Sequence, residues 1–157
     1  MGLRNILTDQ ESALHKTCRP VTAFDRKLHK LLDDMQETLI QANGVGLAAP
    51  QVGILRRVVL VDTGEEILEL INPTLVETDG EQVGPEGCLS VPGRYGLVTR
   101  PYYAKVRAQD RYGDWYEVEG EELIARCFCH ELDHLDGILY TQVMERFLTD
   151  EELEADE

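Results

Sequence analysis

Positive charge is scarce in this sequence. Fifteen lysines and arginines stand against thirty aspartates and glutamates, for a net charge of −15. That balance disfavours nucleic acid as a ligand, because neutralising phosphates needs a basic face. The acidity itself reads as solubility. Long apolar runs are missing as well, and none approaches the roughly 20 residues a membrane-spanning helix requires, so no membrane partner is expected. The first residues carry acids and lack an apolar h-region, which argues against a targeting segment. Internal repeats and low-complexity linkers are absent. Cysteine is sparse, limited to Cys18, Cys88, Cys127 and Cys129. Without a secretory signal these thiols are expected to stay reduced rather than form a disulfide framework. Each is then a small buried hydrophobe or a functional thiolate.

What is present is enough for a folded core. A chain of 157 residues is expected to form a single domain, 1–157. Phe24 to Gln41 reads as an amphipathic helix, with Leu28, Leu31, Leu32, Met35 and Leu39 at helical spacing and Asn43-Gly44 as a stop. Gly44 to Gln51 is rich in glycine and proline and reads as a loop. Strands are expected at Arg57–Asp62, Ile67–Asn72, Leu97–Thr99, Ala104–Gln109 and Trp115–Glu119, with a turn at Asp79-Gly80. Helical periodicity returns at Leu123–Leu135. A short extended piece should follow Gly137, and Thr149-x-x-Glu152 resembles a capping box opening a short last helix or acidic tail at 149–157. The fold class is α+β: mainly antiparallel short strands around a central helix, with an N-terminal amphipathic helix and a short C-terminal one.

The central helix carries the chemistry. His130-Glu131-Leu132-Asp133-His134 is an H-E-x-x-H. Residues four apart share a helix face with Cβ atoms roughly 5–6 Å apart, so two imidazoles can hold one metal ion with the glutamate beside it. An accidental pair is a weak reading, because only four histidines exist. A catalytic site usually has three protein ligands. No histidine follows His134; position 140, where an extended H-E-x-x-H-x-x-G-x-x-H would place one, is Tyr140. A downstream acid remains open: Glu145, Glu151, Glu152, Glu154 or Glu157. Cys127 lies seven residues before His134, a rise of roughly 10 Å, and Cys129 points elsewhere, so both read as core thiols, as does Cys18. Cys88 sits beside Gly87, far enough in sequence to approach from a separate wall, and is modestly preferred over an acid.

Three blocks of the chain together resemble the peptide deformylases. They are Gly44-Val45-Gly46-Leu47-Ala48-Ala49-Pro50-Gln51, Glu86-Gly87-Cys88-Leu89-Ser90, and His130-Glu131-Leu132-Asp133-His134-Leu135-Asp136-Gly137. They occur in the family's order and spacing. The resemblance implies that Cys88, His130 and His134 hold one divalent metal, iron(II) in cells, with zinc, nickel or cobalt as alternatives. It implies that Glu131 is general base and then acid, and that Gln51 and the Leu89 N–H polarise the formyl oxygen. The substrate would be the N-formylmethionyl end of a nascent polypeptide, hydrolysed to formate and a free amine in a bacterial cytoplasm. Glycines 44, 46 and 87 would let an extended peptide lie along backbone groups. Val45, Gly46, Gly87, Leu123 and Cys127 would line its binding site.

Three departures stand out. Cys129 replaces the glutamine that often precedes the first motif histidine, and Arg126 stands where many relatives carry an aliphatic residue. The acidic end, Thr-Asp-Glu-Glu-Leu-Glu-Ala-Asp-Glu, speaks against a ribosomal RNA contact. Two rival readings compete with deformylation. A zincin-like endopeptidase would need a different third ligand, and a structural metal would need a fourth.

Overall fold

The computed structural model describes residues 2–155. The first long element is helix α1, Arg26–Ala42. The Asp25 side chain accepts from the Leu28 N–H at 3.1 Å and opens it, and Asn43 closes it in the left-handed region at φ 55°. Such a cap is worth about 1 kcal/mol. Then come β1 (Gly46–Ala48), a 3-10 turn at Ala49–Val52, β2 (Val58–Asp62) and β3 (Ile67–Asp79). A hairpin of β4 (Gln82–Cys88) and β5 (Val91–Arg100) follows, then β6 (Tyr103–Gln109), β7 (Trp115–Glu121) and helix α2 (Leu123–Leu135). A 3-10 turn at Tyr140–Gln142, β8 (Arg146–Phe147) and helix α3 (Asp150–Ala155) complete the order.

Every strand ladder is antiparallel. Five strands run β1-β2-β3-β6-β7, and three run β4-β5-β8. The larger sheet lies between the two long helices, and β2 shows why. Its side chains alternate between faces with period two. Val58 and Leu60 pack with Leu28, Leu31, Leu32, Met35 and Leu39 of α1. Val59 and Val61 pack with Ala125, Phe128 and Leu135 of α2. A third cluster, Leu14, Val91, Val98, Leu139 and Tyr140, lies against the smaller sheet. Each fully buried aliphatic side chain contributes roughly 1.5–3 kcal/mol, so α2 is pinned by its apolar face, leaving its other face free for polar work.

The α+β class and both long helices match the reading of the sequence, and the Thr149 box forms: Thr149 N–H donates to Glu152 Oε1 at 3.0 Å and Glu152 N–H to Thr149 Oγ1 at 3.2 Å. Several details differ. Gly44–Gln51 is not all loop, because β1 pairs with β2 within it. β3 continues past Asn72-Pro73, where a register shift between Ile71 and Thr74 removes the need for the missing proline N–H. β4 hides behind Gly84, Pro85 and Gly87. The segment after Gly137 forms a 3-10 turn rather than a strand. No helix among the described residues is long and apolar enough to cross a membrane.

Candidate metal centre

The free face of α2 looks at the end of the β4–β5 hairpin. The register of that hairpin slips between Glu86 and Cys88. A slip of this kind re-aims a side chain, and here Cys88 turns toward the helix. One donor atom each from Cys88, His130 and His134 lie within 4.8 Å of one another. Cys88 Sγ is 3.4 Å from His134 Nε2, close to the roughly 3.5 Å that two ligands of one tetrahedral ion require. The two imidazole rings sit 5.0 Å apart at 75°. Among the described residues no acid from the C-terminal stretch joins this group. Glu152 is engaged by Arg146, and Glu157 lies outside the described residues. The other cysteines are buried and free. Burial pushes the Cys18 and Cys129 thiols up to about 11, and Cys127 well above its ordinary value.

Behind His130 stands a carboxylate with every lone pair committed. Glu86 Oε1 lies 2.8 Å from His130 Nδ1 and accepts from Arg100 Nη2 at 2.9 Å. Glu86 Oε2 accepts from Arg100 Nε at 2.8 Å and Arg126 Nη1 at 2.7 Å. Burial alone would raise this carboxyl, but hydrogen bonds from Arg100 and His130 pull it down to about 2. An ionised carboxylate only accepts, so His130 Nδ1 carries a proton toward Glu86, which leaves Nε2 as the nitrogen a metal would bind. Arg100 Nη1 also reaches Asp133 Oδ2 at 2.7 Å, tying the hairpin to the motif helix a second time. Tyr140 stacks on the His130 ring, with centroids 6.1 Å apart.

On the open side the situation reverses. Glu131 is 3% exposed, and its Oε1 has no hydrogen-bond partner. Burial pushes its carboxyl up to about 7, against the opposing pull of His130. His134 is fully buried with Nδ1 also unpartnered, and burial, reinforced by His130, holds its pKa well below the ordinary value. His130 shifts the other way, because its contacts with Cys88 and Glu86 outweigh burial. The three donors thus enclose room for one cation. A thiolate with two imidazoles suits iron or zinc and not magnesium or calcium. The residues present fit a divalent transition metal.

In front of Glu131 lies a cavity of about 400 Å³. Val45, Gly46, Gln51, Gly87, Cys88, Leu89, Leu123, Cys127, His130 and Glu131 all line it, so the substrate-side and catalytic candidates converge on one wall system. Only His134 sits behind it. Gly46 is a close approach: a Cβ there would stand 2.6 Å from Glu131 Oε2 and 2.8 Å from Cys127 Sγ. Gln51 is 1% exposed and held at both ends, its Oε1 accepting from the Ala48 N–H at 2.9 Å and its Nε2 donating to Ser90 Oγ at 3.0 Å. The same Nε2 is 3.5 Å from Cys88 Sγ.

Sequence reasoning missed the supporting set of Glu86, Arg100, Asp133, Ser90 and Tyr140. Glu86, Ser90 and Asp133 stood inside the quoted blocks, and their place beside the ligands was the available signal. Arg100 and Tyr140 are brought in by the hairpin and by the chain reversal after Gly137, and have no local signature.

An H-E-x-x-H helix completed by a thiol from a separate hairpin, with a glutamate facing an open cleft, defines a mononuclear metallohydrolase rather than a closed structural site. The comparisons narrow that class. The sequence model of the polypeptide deformylase family matches residues 3–149, and the chain belongs to this family. It is 57% identical over 150 residues to a peptide deformylase of Agathobacter rectalis, covering 96% of this chain and 95% of that protein. It is 50% identical over 154 residues to one from Caldicellulosiruptor bescii, covering 98% and 93%. The crystal structure of the Thermotoga maritima peptide deformylase superposes with a TM-score of 0.90 at 39% identity, covering 92% of this chain and 99% of that one.

Proposed function

We propose that the residues around this cleft carry out the reaction that family membership assigns: hydrolysis of the N-formyl group of a formylmethionyl peptide, releasing formate and a free amine. The observation that carries the reading is the unpartnered Glu131 carboxylate, buried beside the Cys88, His130 and His134 donors at the inner end of the cavity. A divalent metal held by those three donors supplies Lewis acidity and brings the pKa of water down, in the best zinc sites to about 7. Iron(II) is the metal we assign in cells, with zinc, nickel or cobalt as substitutes.

The chain's own residues do the rest. Glu131 receives the proton of the attacking water at Oε1 and returns it to the leaving amine nitrogen. General acid–base transfer of this kind contributes roughly 10²–10⁴-fold. The oxygen of the formyl group gains charge as the carbon becomes tetrahedral. Gln51 Nε2 meets it with the proton not given to Ser90, the one that points toward Cys88 Sγ at 3.5 Å, and the Leu89 N–H is the second donor. One such donor is typically worth about 10²–10³ in turnover. The Gln51 donor is fixed in advance, because Ser90 and the Ala48 N–H hold its amide plane.

The substrate lies as an extended strand. β1 is an edge of the larger sheet and lines the cavity through Gly46, while Gly87 of β4 lines the facing wall. A peptide between them gains main-chain hydrogen bonds, and its first side chain enters the pocket formed with Val45, Leu123 and Cys127. The nascent formylmethionyl chain is the assigned partner, met in a bacterial cytoplasm. The whole of 1–157 is assigned as one catalytic domain. The test is to load the protein with iron without oxygen, add formyl-Met-Ala-Ser and measure formate. Formate is expected; its absence with metal bound would reject the reading.

A further inference from the structure

Arg126 lies on the wall of the cavity and is only 6% exposed. Its Nη1 is fully used, donating to Glu86 Oε2 at 2.7 Å and to the Val98 carbonyl at 3.1 Å. A guanidinium has five N–H donors in a rigid plane. The remaining ones, on Nε and Nη2, have no acceptor among the described residues. They are not sealed in protein, since neither atom is among the fully buried groups without partners. Arg126 lines the cavity together with Leu123, Cys127 and Glu86, and its Nη2 lies beside Gly84 of β4, where a Cβ would stand 3.4 Å from it. Glu86 is anchored in turn by Arg100 and His130, so the fork is fixed in place before any ligand arrives.

We propose that Arg126 makes the side-chain pocket selective for a residue of methionine's length that ends in a hydrogen-bond acceptor, so that N-formyl methionine sulfoxide peptides are substrates alongside formylmethionyl ones. This rests on the deformylase reading. A thioether is a weak acceptor and leaves the fork largely unsatisfied. A sulfoxide has a strongly polar oxygen at nearly the same position, and oxidation of methionine yields it. In a purely apolar pocket that oxygen would be buried without a partner and the oxidised side chain rejected. Here the guanidinium supplies charge-assisted donors, the stronger kind, and their pre-organisation lowers the ordering cost. Leu123 and Cys127 still cover the apolar stem. No change in the chemistry is needed: water splits the formyl C–N bond in both substrates, and the sulfoxide is untouched.

The test uses three peptides, formyl-Met-Ala-Ser, its sulfoxide, and the norleucine analogue, which has methionine's length and no acceptor. Formate release gives kcat/KM for each on the metal-loaded wild type, Arg126→Met and Arg126→Lys. Methionine replaces the side chain with an apolar one of similar length; lysine keeps a cation against Glu86 should the first variant not fold. The sulfoxide-to-norleucine ratio is expected to fall by roughly ten- to a hundredfold in Arg126→Met, as for loss of hydrogen bonds to a charged group. It should fall in Arg126→Lys too, where one ammonium serving Glu86 cannot replace the fork. A ratio that is the same in wild type and variants overturns the proposal, as does a wild type that releases formate from methionine and norleucine peptides but not from the sulfoxide. No formate from any of the three peptides would instead reject the deformylase reading, and this inference with it.

Discussion

Two carboxylates flank His130, and they differ in everything except burial. Glu86, on the hairpin, is 5% exposed, and Glu131, on the helix, is 3% exposed. Glu86 accepts hydrogen bonds from two arginines and an imidazole and sits at about 2 despite its burial. Glu131 has an oxygen with no partner, and burial drives it up to about 7. Depth therefore does not decide what a buried acid does. Partners decide it. A carboxylate whose lone pairs are all filled is a fixed post, and here it orients a metal ligand. A carboxylate left short of donors is ready to take a proton from a reactant.

That contrast can be broken by making each acid neutral in turn. The largest effect is expected for Glu131→Gln. Turnover should drop by about 10²–10⁴-fold, with metal content and melting temperature close to wild type, measured by formate release and metal analysis. A variant at the wild-type rate would remove Glu131 from the chemistry. Glu86→Gln should do the opposite and injure the structure first. It leaves Arg100 and Arg126 buried without their shared anion, and breaking a buried pair in this way costs about 3–5 kcal/mol. Loss of the His130 anchor should also weaken metal binding by roughly 10–100-fold. Urea unfolding and chelator competition read the two effects separately. Normal stability with normal metal affinity would mean that the hairpin holds Cys88 and His130 without Glu86.

A smaller effect sharpens the comparison from the open side. Gly46→Ala places a methyl group 2.6 Å from Glu131 Oε2, with Cys127 Sγ at 2.8 Å on its other flank. Both neighbours are buried, so something must move. Overpacking of this sort costs about 1–3 kcal/mol, and the group displaced is the proposed proton carrier. Activity should fall by more than the stability loss explains. Equal activity with a lowered urea midpoint would show that Glu131 tolerates displacement and that its position is not finely set.

The two acids were also unequally readable in the sequence. Glu131 sits in a spaced motif on a helix whose apolar period is plain, so its place beside His130 and His134 follows from 3.6-residue geometry. Cys88 needed the combined pattern of three blocks, since no local rule says which distant thiol will reach a helix. Glu86 was quoted within one of those blocks but received no role. One acid among thirty has no periodic mark, and its partners come from elsewhere: Arg100 from the far strand of the hairpin and Arg126 from α2. The fold shows the same division. Helices with long periodic faces were placed to within about two residues, whereas β4 was concealed by Gly84, Pro85 and Gly87, which read locally as turn and are held extended by pairing with β5. The bulge that admits Asn72-Pro73 into β3 is likewise a product of pairing with β6.

The smallest predicted effect separates a shifted pKa from stability. Glu152 is held to about 2, the same value as Glu86, by hydrogen bonds from Arg146 and then from the Thr149 backbone. Arg146 Nη1 and Nη2 reach its two oxygens at 2.7 and 2.9 Å, but both side chains are solvent-exposed. Water and salt screen such a pair, and exposed pairs contribute little. The sign follows from the folded pKa lying below the ordinary 4.5. Whatever stability the pair adds is present above that value and is lost as pH falls from about 4.5 through about 2. Glu152→Gln should therefore shift the urea midpoint far less than Glu86→Gln at pH 7, and the difference from wild type should shrink further at pH 4. If the two substitutions shifted the midpoint equally, an equal pKa depression would mean equal stabilisation whatever the burial. The distinction between a buried post and a solvated pair would then be lost.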